Sequence, residues 1–193
     1  MIMVPDLPGF AEPVADAQGA FRAVLDAMAH PGRILSAGAG LTAPASLEPA
    51  MAAALLSLVD ADTSLWLDPA FAQARDWLAF HTGARAAGRM AAADFVVVAA
   101  LPPLSALALG TDEAPELGAT VILGAAALGE GTRYRLSGPG LAAPTEFAAR
   151  GLGDGFVAFW HDNHALFPRG IDLLVCAGTH LAALPRSVTV EAL

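Results

Sequence analysis

The chain contains no lysine; all ten of its basic residues are arginine. That excludes a lysine Schiff base and a phosphate loop built around a lysine. It excludes pyridoxal phosphate held as an internal aldimine, and no cofactor is expected. Cysteine is almost missing too. Cys176 stands alone, so no disulfide can close within the chain, which fits a reducing cytosol. It sits in an apolar run, where an inert buried thiol is expected rather than a nucleophile. Charge is sparse at 15% of residues, against about 25% in ordinary soluble domains. What charge there is sums to −9, which argues against a non-specific nucleic-acid binder and against an anionic membrane surface. The apolar runs Met51–Leu56 and Phe95–Leu101 are too short to span a bilayer. Met1–Phe10 has no basic residue and carries Pro5, Asp6 and Pro8, so it does not read as a secretory signal. A cytoplasmic protein is expected.

Several motifs are missing as well. There is no Gly-x-x-x-x-Gly-Lys loop, no Gly-x-Ser-x-Gly elbow and no Cys-x-x-Cys pair. Gly151, Gly153 and Gly155 make a glycine-rich run, but no strand precedes it as a dinucleotide fingerprint requires, so it reads as a loop before a helix.

What is present suits one α/β domain over 1–193, with no internal repeat and no dividing linker. Asp16 predicts the cap of a first helix through Ala29, with Phe21, Val24, Leu25 and Met28 as its buried stripe. Pro31-Gly32 stops it. Ser46 predicts the cap of a second helix through Val59, with Pro49 in its first turn. Asp68-Pro69 opens a third, ending near Gly83. Ser64–Leu67, Phe95–Ala100, Thr120–Leu123, Arg133–Leu136, Ile171–Ala177 and Ser187–Glu191 read as strands, and Asp154 as the cap of a helix to Leu166. Thr82–Ala93 and Asp112–Gly118 read as surface loops. Helices alternating with apolar strands imply a three-layer α/β/α sandwich on a mixed sheet with antiparallel edges.

Candidate chemistry is thin. Arg22, Arg33 and Arg186 lie nearest breakers or turns, and arginine is the natural clamp for a phosphate or phosphonate. In so acidic a chain each could equally pair with a carboxylate. His30 and His81 end predicted helices, where a cation suits the helix dipole. The residues alone give the same reading for both; His81 is kept as a ligand candidate because its Phe80-His81-Thr82-Gly83 turn falls in a segment that carries a family resemblance. Asp60 and Asp62 have the spacing of a magnesium pair but more often simply make a turn. His161 and His164 share a helix face and would need a third ligand such as His180 to hold a metal; a solvated face is the expectation, with no metal. The anion- or ligand-binding candidates are therefore Arg22, His81 and Arg186, and no catalytic residue is assigned.

Hydrophobic residues reach 55%. A domain of this size cannot bury them all, and large exposed patches mark interfaces. A homodimer in solution is expected, with an interface near the standard size of roughly 1,600 Å².

A series of segments resembles the PhnH family of the bacterial carbon–phosphorus lyase system. Phe21–Ile34 (FRAVLDAMAHPGRI) resembles its opening signature, followed by Leu58–Leu67 (LVDADTSLWL) and Leu78–Gly83 (LAFHTG). Gly110-Thr111, Pro115–Thr120 (PELGAT), Leu136–Gly140 (LSGPG), Gly170–Leu174 (GIDLL) and Leu184–Arg186 (LPR) follow in order. The resemblance implies an α/β/α fold like the large domain of type I pyridoxal-phosphate transferases, without that cofactor. It implies a subunit inactive alone that works with PhnG, PhnI, PhnJ and PhnL. In that system adenine of ATP is displaced by an alkylphosphonate, giving a ribose 1-alkylphosphonate 5-triphosphate whose carbon–phosphorus bond PhnJ then cleaves. The nucleosidase chemistry is usually placed on PhnI. The resemblance transfers no catalytic residue to this chain. It points to self-association in isolation and to a hetero-oligomer at work.

Overall fold

The computed structural model describes residues 7–193, so Pro5 and Asp6 of the N-terminal reading lie outside the described residues. Pro13 opens helix α1 (Pro13–Ala29), since its fixed φ suits a first helical position. The Asp16 carboxylate accepts the Glu12 N–H at 2.9 Å, so Asp16 supports the helix start from within its first turn instead of capping it. The expected buried stripe is displaced. Val24 is buried and Met28 partly so, but Phe21 and Leu25 are 48% and 57% exposed. The inward face is Ala20, Val24 and Ala27. These small side chains let α1 lie close against α2 (Pro49–Leu58), whose Ala50 and Ala52–Ala54 are themselves fully buried. Side-chain volume, more than hydrophobicity, decides which face turns inward here. Helix α2 begins at Pro49 itself, and Ser46 does not cap it: the preceding residue is Glu48, whose side chain makes no capping bond.

Strand β1 (Leu35–Ser36) lies between these helices in sequence. Strand β2 (Ser64–Leu67) ends at Asp68, which caps a 3₁₀ turn over Pro69–Ala74 by accepting the Ala70 N–H at 2.9 Å. That turn runs into α3 (Arg75–Thr82), closed by Gly83 in the left-handed conformation at φ 70°. Strands β3 (Arg85–Ala86), β4 (Phe95–Val98) and β5 (Thr120–Gly124) follow, then β6 (Ala127–Ser137), β7 (Thr145–Arg150), α4 (Phe156–Ala165), β8 (Asp172–Ala177), β9 (His180–Leu184) and β10 (Thr189–Ala192). The predicted loop Thr82–Ala93 thus contains an exposed two-residue strand.

The central sheet has the order β1-β9-β8-β5-β4-β2-β3. Strands β3, β2, β4, β5 and β8 are parallel, while β9 runs antiparallel to β8 and β1 antiparallel to β9. Alternation divides the core in two. Val97, Ile122, Leu174, Cys176 and Leu181 face α1, α2 and α3. Val96, Val98, Val121, Leu123, Leu173 and Val175 face the opposite layer. That layer is not purely helical. It combines α4 with a second antiparallel sheet, β10-β6-β7. The reason is a period of two in β6 and β7. Tyr134, Leu136, Phe147 and Ala149 turn inward, while Arg133, Arg135, Glu146 and Arg150 turn to solvent. Phe156 of α4 packs against Tyr134 and Trp160 against Phe156, and the Trp160 indole donates to Val188 O at 2.8 Å. Among the described residues no helix is long and apolar enough to cross a membrane.

Candidate functional site

Asp172 opens β8, Arg186 follows β9, and the antiparallel pairing of the two strands brings them together at the amino end of the parallel strands. Arg186 Nη2 donates to Asp172 Oδ2 at 2.7 Å and Nε to Oδ1 at 3.2 Å. Its Nη1 donates to Pro115 O at 2.7 Å, and its backbone N–H to Asp172 Oδ1 at 2.8 Å. His164 Nδ1 lies 3.0 Å from Arg186 O. The two charged side chains are only 12% and 20% exposed. Beside them Asn163, fully buried, accepts the Ile171 N–H at 2.8 Å and donates to Ile171 O at 3.0 Å. A Cβ at Gly118 would overlap the Gly170 carbonyl and the Arg186 guanidinium, so only glycine fits there. This cluster joins the turn before β5, the starts of β8 and α4's last turn into one staple. Three of the five guanidinium donors of Arg186 are thus engaged, two by Asp172 and one by Pro115 O.

The other two candidates lie elsewhere, and no hydrogen bond or ion pair joins any of the three. His81 occupies the last turn of α3, with Nε2 3.1 Å from Leu7 O. Trp77 Nε1 donates to the same carbonyl at 3.0 Å, and the His81 ring meets Trp77 and Phe80 edge-on at 4.9 and 5.1 Å. His81 therefore helps to pin Leu7 against α3. Arg22 is exposed on α1 and, among the described residues, makes no ion pair. Of the three candidates only Arg22 is without a side-chain partner among the described residues.

The remaining readings resolve locally. Asp60 Oδ1 accepts from Asp62 N and Thr63 N at 2.9 and 3.1 Å, which is a turn-making role. His30 Nδ1 and Arg33 Nη1 both close on Asp26 Oδ1, at 2.7 and 3.2 Å. His161 is exposed, and His164 is held by Arg186 O. Among the described residues no three potential ligands gather to hold a metal. Cys176 is fully buried on β8, and burial, with a smaller contribution from the Glu48 charge, pushes its thiol up to about 12. It stays protonated and unreactive.

One feature escaped the sequence reading. A cleft of ≈240 Å³ opens beside the carboxyl end of β2, lined by Trp66, Leu67, Arg75, Ala79 and Ala84 with Ala86–Gly88. The available signal was the run from Arg75 to Arg89. It holds three arginines, and between Thr82 and Ala93 no acid.

A family model described as bacterial phosphonate metabolism protein (PhnH) matches residues 8–191. The chain belongs to the PhnH family. A protein of Rhizobium meliloti (strain 1021), named alpha-D-ribose 1-methylphosphonate 5-triphosphate synthase subunit PhnH, is 38% identical over 187 residues, covering 94% of each chain. One of Stutzerimonas stutzeri, named "Putative C-P lyase subunit protein HtxG", is 34% identical over 175 residues, covering 90% of this chain and 85% of that one. The PhnH signature segments have a structural meaning in this fold. PELGAT supplies Pro115 and Gly118, GIDLL supplies Gly170 and Asp172, and LPR supplies Arg186, so three separate segments meet in the one staple. Two others meet as well. A Cβ at Gly140 of LSGPG would strike Ala29 O and Pro31 at the end of α1.

Proposed function

We propose that this chain is a non-autonomous, cytoplasmic subunit of the carbon–phosphorus lyase system. It acts with PhnG, PhnI and PhnL to form ribose 1-alkylphosphonate 5-triphosphate from ATP and an alkylphosphonate, upstream of PhnJ. The observation that carries the reading is the PhnH match over nearly the whole chain, together with relatives named as subunits of this system. The surface supports it. Val14, Phe21 and Leu25 are all exposed and fall at i, i+7 and i+11 on α1, a single apolar stripe on a helix whose other face is already packed. Arg22 stands beside that stripe. We read this face as the surface for self-association in the isolated chain and for a partner subunit in the complex. The seven-stranded mixed sheet supports a relation to the large domain of type I pyridoxal-phosphate transferases, although with no lysine no aldimine can form.

Sedimentation of the chain with and without PhnG and PhnI tests the association. A dimer alone and a larger hetero-oligomer with partners are expected, with both weakened by Phe21→Ser plus Leu25→Ser. A monomer unchanged by the partners would contradict the subunit reading.

A further inference from the structure

We propose that the cleft at the carboxyl end of β2 binds a small anion bearing a phosphoryl or phosphonyl group, with Arg75 as its cation. Open α/β sheets bind ligands outside the carboxyl ends of their parallel strands. This cleft is at that end, and the Arg186 staple is at the other. Strand β3 pairs with β2 only at Ser64 and Leu65, so β2's outer side at Leu67 is uncovered. The Leu65 carbonyl accepts from Ala87 N, while Asp68 N donates across to Val97 O of β4. Strand alternation therefore turns the Leu67 peptide group away from β4 and into the gap. The cleft thus offers a guanidinium and a backbone N–H, the pair of donors that oxyanions favour.

Charge singles out the same place. Six of the ten arginines face carboxylates: Arg33, Arg133, Arg135, Arg150, Arg169 and Arg186. Among the described residues Arg22, Arg75, Arg85 and Arg89 do not; Arg22 lies apart on α1, whereas Arg75 lines this cleft and Arg85 and Arg89 flank its Ala86–Gly88 wall in sequence. Arg85 spends one donor on Asp62 O at 2.6 Å. The nearest acids in sequence are Asp68, whose carboxylate is engaged as a cap, and Asp76, which forms no ion pair. A chain of net charge −9 repels anions elsewhere, so a site for one must lie where arginines outnumber acids. The volume, ≈240 Å³, falls below the roughly 300 Å³ at which pockets for larger ligands begin. It suits a small phosphonate or the end of a polyphosphate tail, with the rest of a larger ligand left outside.

The choice of probes rests on the subunit reading; the site itself rests on the geometry. Trp66 lines the cleft and is partly exposed, whereas Trp77 and Trp160 are fully buried, so tryptophan emission reports on the cleft. The purified chain is titrated at low salt with methylphosphonate and, separately, with inorganic triphosphate. Amide NMR shifts at Leu67 provide a second readout. Saturable binding of methylphosphonate assigns the site to the phosphonate, and saturation by triphosphate alone assigns it to the polyphosphate tail. In either case Arg75→Ala weakens binding at least tenfold, while Arg133→Ala on the second sheet leaves it unchanged. Absence of saturable binding of both probes, equal affinity in Arg75→Ala, or binding only of an acidic extended peptide at this edge overturns the proposal. Co-elution with the partner subunits is scored on the same preparations. A native chain that binds the probe but joins no partner contradicts the subunit reading and leaves the site standing.

Discussion

The two ends of the central sheet treat the same residue type in opposite ways. At the amino end Arg186 is enclosed, with Asp172 and Pro115 O taking its donors. At the carboxyl end Arg75 stands exposed over a cleft, facing no carboxylate among the described residues. The first guanidinium is part of the scaffold; the second is free to meet something from outside. Sequence position draws attention to Arg186, which adjoins a proline and a turn, rather than to Arg75, which lies within a helical run. What separates them is the partner that the fold brings, and that partner is 14 residues away in sequence for Arg186.

This contrast breaks most visibly at the staple. Arg186→Ala leaves a mostly buried Asp172 carboxylate without its cation, so a loss of about 3–5 kcal/mol is expected, read as a fall of roughly 10 °C in Tm. Asp172→Ala should cost about as much, and the double variant less than the sum of the two. If Arg186→Ala proved as mild as a surface change, the staple would not be the structural unit described. Next in size is Asn163→Ala, which leaves the Ile171 N–H and carbonyl unpaired in the core and should cost about 2–3 kcal/mol in chemical denaturation.

A smaller and pH-dependent effect belongs to Cys176. Its thiol is raised from the ordinary value of 9.0 to about 12 by burial. Between those values the unfolded chain loses a proton that the folded chain keeps, so stability is intact below about 9 and falls by about 1.4 kcal/mol per pH unit above it. Cys176→Ala should flatten that alkaline limb, and the native thiol should resist a disulfide reagent at pH 8. The smallest effect is expected at Arg75. Arg75→Ala should change stability by no more than about 0.5 kcal/mol, which sharpens the contrast with Arg186.

Much of the parallel sheet was legible. Ser64–Leu67 needed no adjustment, and the runs at Phe95, Thr120 and Ile171 became β4, β5 and β8 with ends shifted by one or two residues, because continuous β-branched and leucine runs bounded by breakers mark buried strands. The two-residue strands β1 and β3 were missed, and so were β7 and β9. The segments of β7 and β9, TEFAAR and HLAAL, are rich in alanine, which carries little strand preference. Their neighbours hold them in place. Gly178, at φ 56°, makes the two-residue turn that folds β9 back on β8. The outward turn of Phe21 and Leu25 was hidden for a related reason: a periodic pattern does not reveal that the facing helix is also alanine-rich and wants close contact. The site was the least legible part. Arg22, His81 and Arg186 share a residue chemistry but no location. Arg75 acquires its meaning from where β3 stops short of β2's end, which depends on strand register.

The most direct test is reconstitution of ribose 1-methylphosphonate 5-triphosphate formation from ATP and methylphosphonate by PhnG, PhnI and PhnL, with this chain present or omitted. The account predicts that product only when the chain and its partners are together, and none from the chain alone. Equal product without the chain, or turnover by the purified chain on its own, would contradict it.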